Sequence, residues 1–412
     1  MQTFSSPTVT GNLIPTVPPT WVVTFALFLF AGFTQASEKP LQVFVLVGQS
    51  NMQGHADVRT FPHMAADPTT EPVLRQMISL EGEPVVCENV WISSLSNTGE
   101  KTGRLTTGFG ASESKIGPEL MFGIRMQQHL DQPILIIKTA WGGKSLNTDF
   151  RPPSAGSYEF SKSQLDRLAK KGKDIQEVKA LKVAATGVYY AKTVEHVRDV
   201  LNDIQRVYPG YDADQGYELA GLVWFQGWND MVDLGTYPNR EATDGYRQYS
   251  ELLALLISDL RRDLAAPRLP VVVGVMGVGG PTERYLPSQR RIKTFHQNFR
   301  DAMAAVAGQP AFQGNVVNVF TEECWDSELS GLRIRESEVT KNANQEAKQK
   351  QLDRNALRAL KDEMLSAEFT NEELNTLRTG VSNAEYHYLG SAKIMASIGK
   401  AFADAMPENS SN

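Results

Sequence analysis

Cysteine is scarce in this chain: Cys87 and Cys324 are the only two among 412 residues. So few thiols exclude a disulfide-stapled scaffold and permit at most one bridge. The six histidines are scattered and no Cys/His cluster has zinc spacing, so neither a metal nor another cofactor is expected. Positive charge is in deficit as well. Lys and Arg total 41 against 47 Asp and Glu, a formal net charge of −6, which argues against nucleic acid or anionic membrane surfaces as partners. Internal repeats and long low-complexity tracts are missing too.

The amino terminus has no charged residue before Glu38 and carries the apolar run Trp21 to Phe33, followed by Thr34-Gln35-Ala36-Ser37. The run falls short of the roughly 20 apolar residues of a bilayer-spanning helix and suits a signal h-region. Residues 1–36 therefore read as a signal peptide cleaved near Ala36, with an uncleaved anchor as the alternative, and the protein is expected to be secreted or periplasmic. No other membrane association is expected.

From residue 38 to 410 the chain reads as one α/β domain. Valine-rich runs predict strands at Gln42–Val47, Asn89–Ile92, Pro133–Lys138, Gly221–Phe225, Pro270–Met276 and Asn315–Phe320. Helices are expected at Pro118–His129, Ala191–Val207 and Tyr246–Leu264, where Tyr249, Leu252, Leu253, Leu256 and Ile257 keep the helical period. Alternating strands and helices imply a three-layer α/β/α sandwich with a mostly parallel central sheet. The polar, unperiodic stretch from His55 to Gly117 reads as a wall beside the first strand's end. About residues 336–377, rich in Lys, Glu, Gln and Ala without Gly or Pro, a charged helical insertion is expected.

Four segments carry the chemistry. Val43–Val47 is an apolar run that stops at Gly48-Gln49-Ser50-Asn51-Met52, and ligands gather beyond the carboxyl ends of such strands. Ile136–Ala140 ends in Trp141-Gly142-Gly143, Leu222–Gln226 ends in Gly227-Trp228-Asn229-Asp230, and Glu385-Tyr386-His387-Tyr388 lies near the carboxyl terminus. Acyl transfer needs a hydroxyl, an imidazole to take its proton, and donors aimed at the developing oxyanion. Each segment also has a plain reading: a cap, a tight turn, or a packed histidine.

Together these blocks resemble the SGNH hydrolase superfamily, in particular the sialate O-acetylesterase-like carbohydrate esterases. The resemblance implies an SGNH/flavodoxin-like fold and an esterase acting on acetylated carbohydrate, either sialic acid or an acetylated polysaccharide. It implies Ser50 as nucleophile and His387 as base. The oxyanion donors would be the Ser50 N–H, the Gly142-Gly143 turn and the Asn229 amide, with Gln226 as the alternative. The family usually has Asp three residues before its histidine, whereas this chain has Ala384. Glu385, Asn383 and Asp326 are the candidates to orient His387, beside a two-residue Ser-His arrangement. That departure sustains a second reading, a catalytically impaired carbohydrate-binding protein on the same fold. An α/β-hydrolase is disfavoured, because Met52 stands where its Gly-x-Ser-x-Gly elbow has the last glycine.

Overall fold

Valine and isoleucine build the centre of the molecule, a seven-stranded sheet. Its strands are β1 (Leu41–Gly48), β2 (Val90–Ser96), β3 (Gly99–Arg104), β4 (Ile134–Ala140), β5 (Tyr217–Phe225), β6 (Val271–Val275) and β7 (Val316–Phe320). The computed structural model describes residues 39–130 and 132–407, so the apolar amino-terminal run read as an export signal lies outside the described residues. The strands lie in the order β3-β2-β4-β1-β5-β6-β7. All pair in parallel except the β2–β3 hairpin.

The three layers follow from alternation along the strands. On one face Phe44 meets Phe122 and Phe225 meets Phe402, which seats helices α2 (Glu119–Leu130) and α12 (Ala392–Asp404). On the other, Thr139 bonds Thr193 at 3.2 Å and the Trp224 indole donates to Tyr249 at 3.3 Å. Those contacts seat α5 (Val188–Asn202) and α7 (Arg247–Asp263). Between them in sequence lies α6 (Trp228–Val232); α3 (Lys162–Lys170) and α4 (Ile175–Ala185) precede α5, and α8 (Arg290–Ala304) follows α7. The layering is the expected one. The strand order departs from the flavodoxin order 2-1-3-4-5, because β4 inserts between β2 and β1.

Register places the site. Gly48 pairs with Ala140 on one side and Phe225 on the other, so β1, β4 and β5 end together. The segment after β1 forms the four-residue helix α1 (Ser50–Gln53). Beneath α1 sits a fully buried ion pair, Lys138 Nζ to Glu119 at 2.7 Å, and the same ammonium donates to the Gln53 carbonyl at 2.9 Å. Burying a lysine is costly unless it is paired and hydrogen-bonded, and here three acceptors surround it.

The charged insertion consists of α9 (Ser327–Gln349), α10 (Arg354–Glu368) and α11 (Asn371–Gly380), wider than the expected 336–377. Its helices bury a small core of their own around Leu332, Val339, Phe369 and Leu377. Both cysteines are free, and burial pushes the thiols of Cys87 and Cys324 up to about 11 and about 12. Among the described residues no helix is long and apolar enough to cross a membrane.

Candidate active site

Gly48 ends β1 where no larger residue fits: a Cβ there would lie 2.1 Å from the Phe225 carbonyl oxygen. That close approach brings Gln49 and Ser50 against the end of β5. Gln49 is buried, and its side chain ties the first and third blocks together. Its Nε2 donates to Asn229 Oδ1 at 3.1 Å and approaches Ser50 Oγ at 3.4 Å, while its Oε1 accepts from Gly227 N at 3.1 Å. Ser50 begins α1, where the first N–H groups of a helix lack intrahelical partners.

The two amide candidates at the end of β5 differ in what remains free. Gln226 Nε2 is occupied by Asp230 Oδ2 at 2.7 Å, the Lys144 carbonyl at 3.1 Å and Gln49 Oε1 at 3.2 Å. A primary amide has two hydrogens, so Gln226 has none to spare for a substrate. Asn229 instead accepts through Oδ1 from Gln49, and among the described residues no acceptor claims its NH₂ group. Asp230 is fully buried and accepts from the Leu146 and Asn147 backbone, the Asn147 side chain, Gln226 and Tyr237. It pins the loop after β4 to the end of β5.

That loop contributes the second block. A Cβ on Gly142 would lie 3.9 Å from Ser50 Cβ, so its backbone borders Ser50 directly. Gly143 has φ +73°, a left-handed conformation that glycine adopts freely, and faces open space. Trp141 and Trp224 are core residues. Trp228 is only half-buried and tilts against Tyr386 with ring centroids 5.7 Å apart. With Tyr285, Trp325, Arg284 and Glu385 it lines a groove of about 550 Å³.

His387 lies in a kinked 3₁₀ segment, Glu385–Gly390, and the next two residues are left-handed: Tyr388 at φ 53° and Leu389 at φ 60°. Such backbone persists only where its surroundings over-determine it. The Tyr388 hydroxyl supplies that anchor, bonded to Gly277 N at 2.9 Å and Thr321 Oγ1 at 2.6 Å beyond the ends of β6 and β7. The segment packs beside α1. No hydrogen bond joins Ser50 Oγ to His387 among the described residues, as is common before substrate tightens such contacts.

Of the three candidate partners, Asn383 is the one at the ring: His387 Nδ1 lies 3.0 Å from Asn383 Oδ1. The same oxygen accepts from the Ala384 N–H at 2.8 Å, which fixes it as the acceptor. Nδ1 therefore carries the hydrogen, and the Nε2 lone pair is free. The helical turn carries Glu385 into the aromatic groove, without a hydrogen bond to His387. Asp326 is engaged elsewhere, with His63 at 2.9 Å and Lys393 at 2.7 Å. Burial, aided by the Lys115 charge, pushes the His387 imidazole down to about 4. It is neutral, and so able to accept a proton, across the physiological range.

Two residues at the site were not singled out in the sequence. Gln49 lies inside the Gly48–Met52 block, yet nothing in its spacing distinguishes a bridging amide from a turn residue. His55 stacks on His387, but in the sequence it is one scattered histidine among several. Among the described residues no group of three or more His, Cys, Asp or Glu side chains is placed to hold a metal ion.

No curated protein matches. Among solved structures, a protein from Arabidopsis thaliana aligns at 17% identity and TM-score 0.37, over 68% of this chain and 86% of its own. A carbohydrate acetylesterase from Xanthomonas citri aligns at 12% identity and TM-score 0.38, over 69% of this chain and 51% of its own. The family model for carbohydrate esterase, sialic acid-specific acetylesterase, matches residues 40–309, which contain the first three blocks, and the chain belongs to that carbohydrate esterase family.

Proposed function

We propose that the protein is a serine esterase that removes O-acetyl groups from carbohydrate through an acyl-enzyme. The observation that carries this reading is the Gln49 side chain, whose Nε2 reaches both Asn229 Oδ1 and Ser50 Oγ and so ties the candidate donor to the candidate nucleophile. Ser50 Oγ attacks the ester carbonyl as His387 Nε2 takes its proton, and the carbonyl oxygen becomes a tetrahedral oxyanion. The Ser50 N–H, the Gly142-Gly143 backbone and the Asn229 amide surround that oxygen; one such donor is worth on the order of 10² to 10³ in rate. Collapse passes the proton from His387 to the leaving sugar hydroxyl. Water, deprotonated by the same nitrogen, then releases acetate. The exposed Tyr386 and the half-buried Trp228 offer aromatic faces of the kind on which sugar rings stack. Export, on the apolar amino-terminal run, completes the proposal.

The test is burst release of p-nitrophenol from its acetate ester. Ser50→Ala and His387→Ala are each expected to leave less than a few per cent of wild-type turnover at near wild-type thermal stability, since residues acting as one unit fail together. A wild-type protein that binds acetylated glycan but shows neither burst nor turnover would be the impaired binding protein instead.

A further inference from the structure

His387 is backed by a second imidazole. His55 follows α1 closely, and its ring lies face to face with that of His387, centroids 4.0 Å apart and planes within 1°. Among the described residues its buried Nδ1 has no hydrogen-bond partner. A buried polar atom left unpaired is a cost that an apolar ring in the same place would avoid.

The Asn383 bond holds His387 in the ring plane but leaves the ring free to tilt about that bond, and it brings no negative charge. A flat partner against one face removes the tilt and excludes water from that face. The two contacts are complementary: one selects the tautomer, the other aims Nε2. We propose that His55 is a positioning residue for the reaction proposed above, its ring backing His387 so that the base is aimed at Ser50 and dry on its far side.

The charges around the stack favour two neutral rings. Burial first, then His387, Lys115 and Lys138, push the His55 imidazole down to about 3. Lys115 faces the pair from the short ribbon that joins Lys115–Ile116 to Ala56–Asp57, and Lys138 from the end of β4, where Glu119 of α2 pairs it at 2.7 Å. Glu385 and Tyr386 flank His387 within its own turn, with the Tyr386 ring centroid 4.5 Å away.

His55→Ala and His55→Phe test the role. Removing the ring is expected to lower kcat about tenfold or more while KM stays within about twofold, because an aimed base acts on the transition state. Phenylalanine restores the flat partner and is expected to recover most of kcat. The titration of His387, followed by NMR on isotope-labelled protein, supplies a readout that needs no turnover. In His55→Ala the face opens to water, so the His387 pKa rises from about 4 towards the ordinary histidine value, whereas in His55→Phe it stays low. Wild-type kcat with an unmoved His387 titration in His55→Ala overturns the proposal, and so does a folded His55→Phe no better than His55→Ala. Full esterase turnover in Ser50→Ala would instead overturn the acyl-enzyme reading, and the titration would still judge the stack.

Discussion

Ala384 stands where the resemblance implies an Asp, and it is Asn383 that bonds the His387 ring. An amide oxygen at 3.0 Å selects the same imidazole tautomer as a carboxylate would, but it adds no negative charge to stabilise the imidazolium. Asn383→Asp places that charge at Nδ1 and is expected to raise the His387 pKa by about 1–3 units, moving the acid limb of the kcat/KM profile upward from about pH 4. Asn383→Ala removes the acceptor and is expected to lower kcat by about tenfold or more without that shift. Glu385→Gln, which touches the groove and not the ring, is expected to stay within about twofold of wild type. A large loss in Glu385→Gln with Asn383→Ala unaffected would transfer the orienting role to Glu385. Ser50, Gly142, Asn229 and His387 were legible because each sits at a strand end or in a short recognisable block. Asn383 was legible only as one of three candidates, since a partner four residues from the histidine depends on the turn between them.

At the scale of elements, the end of β5 shows how two similar amides take different tasks. Strand and turn place Gln226 inward, where it satisfies Asp230, Lys144 and Gln49 at once, and Asn229 outward on the first turn of α6. Gln226→Ala would take the donor from the Lys144 carbonyl and one of several from the buried Asp230 carboxylate, at about 1–3 kcal/mol for a buried group left unpaired, and is expected to lower the urea midpoint along with activity. Asn229→Ala removes a half-buried donor and, with it, the acceptor of Gln49 Nε2, and is expected to lower kcat by about 10² with a smaller fall in the urea midpoint than Gln226→Ala. Equal loss of stability in both variants would show that Asn229 is a structural cap instead. The parallel strands were readable within a few residues because the central ones, buried on both faces, demand apolar runs. Strand β3 was not: Gly99-Glu100-Lys101-Thr102-Gly103-Arg104 is an edge strand largely open to solvent, and such edges favour charge over hydrophobicity.

For the whole molecule, the buried histidines set how stability depends on pH. His296 in α8 is almost fully buried with its Nδ1 2.9 Å from the Tyr285 hydroxyl, and burial, with Arg300 and Arg240 adding to it, pushes its imidazole down to about 3. His55 and His387 are lowered in the same direction, also first by burial. All three lie below the ordinary histidine value of 6.5, so from about pH 6.5 downward the unfolded chain binds protons that the folded one does not. Stability is therefore complete above that range and is lost as pH falls through it. Asp67 is held down to about 2, mainly by its bond with Lys393, so its contribution is lost only in more acidic solution, whereas burial raises Asp230 and Glu385, which work against the histidines as pH falls. Urea denaturation is expected to give lower stability at pH 5 than at pH 7.5, with His296 alone accounting for up to about 2 kcal/mol. His296→Phe removes that linkage and keeps an aromatic ring in the core, while the Tyr285 hydroxyl retains the Val278 carbonyl at 3.1 Å. Its stability, whatever its absolute value, should fall less steeply between the two pH values than that of the wild type. An identical slope in the variant, or a wild type equally stable at both pH values, would show that His296 takes up its proton in the folded state as readily as in the unfolded one.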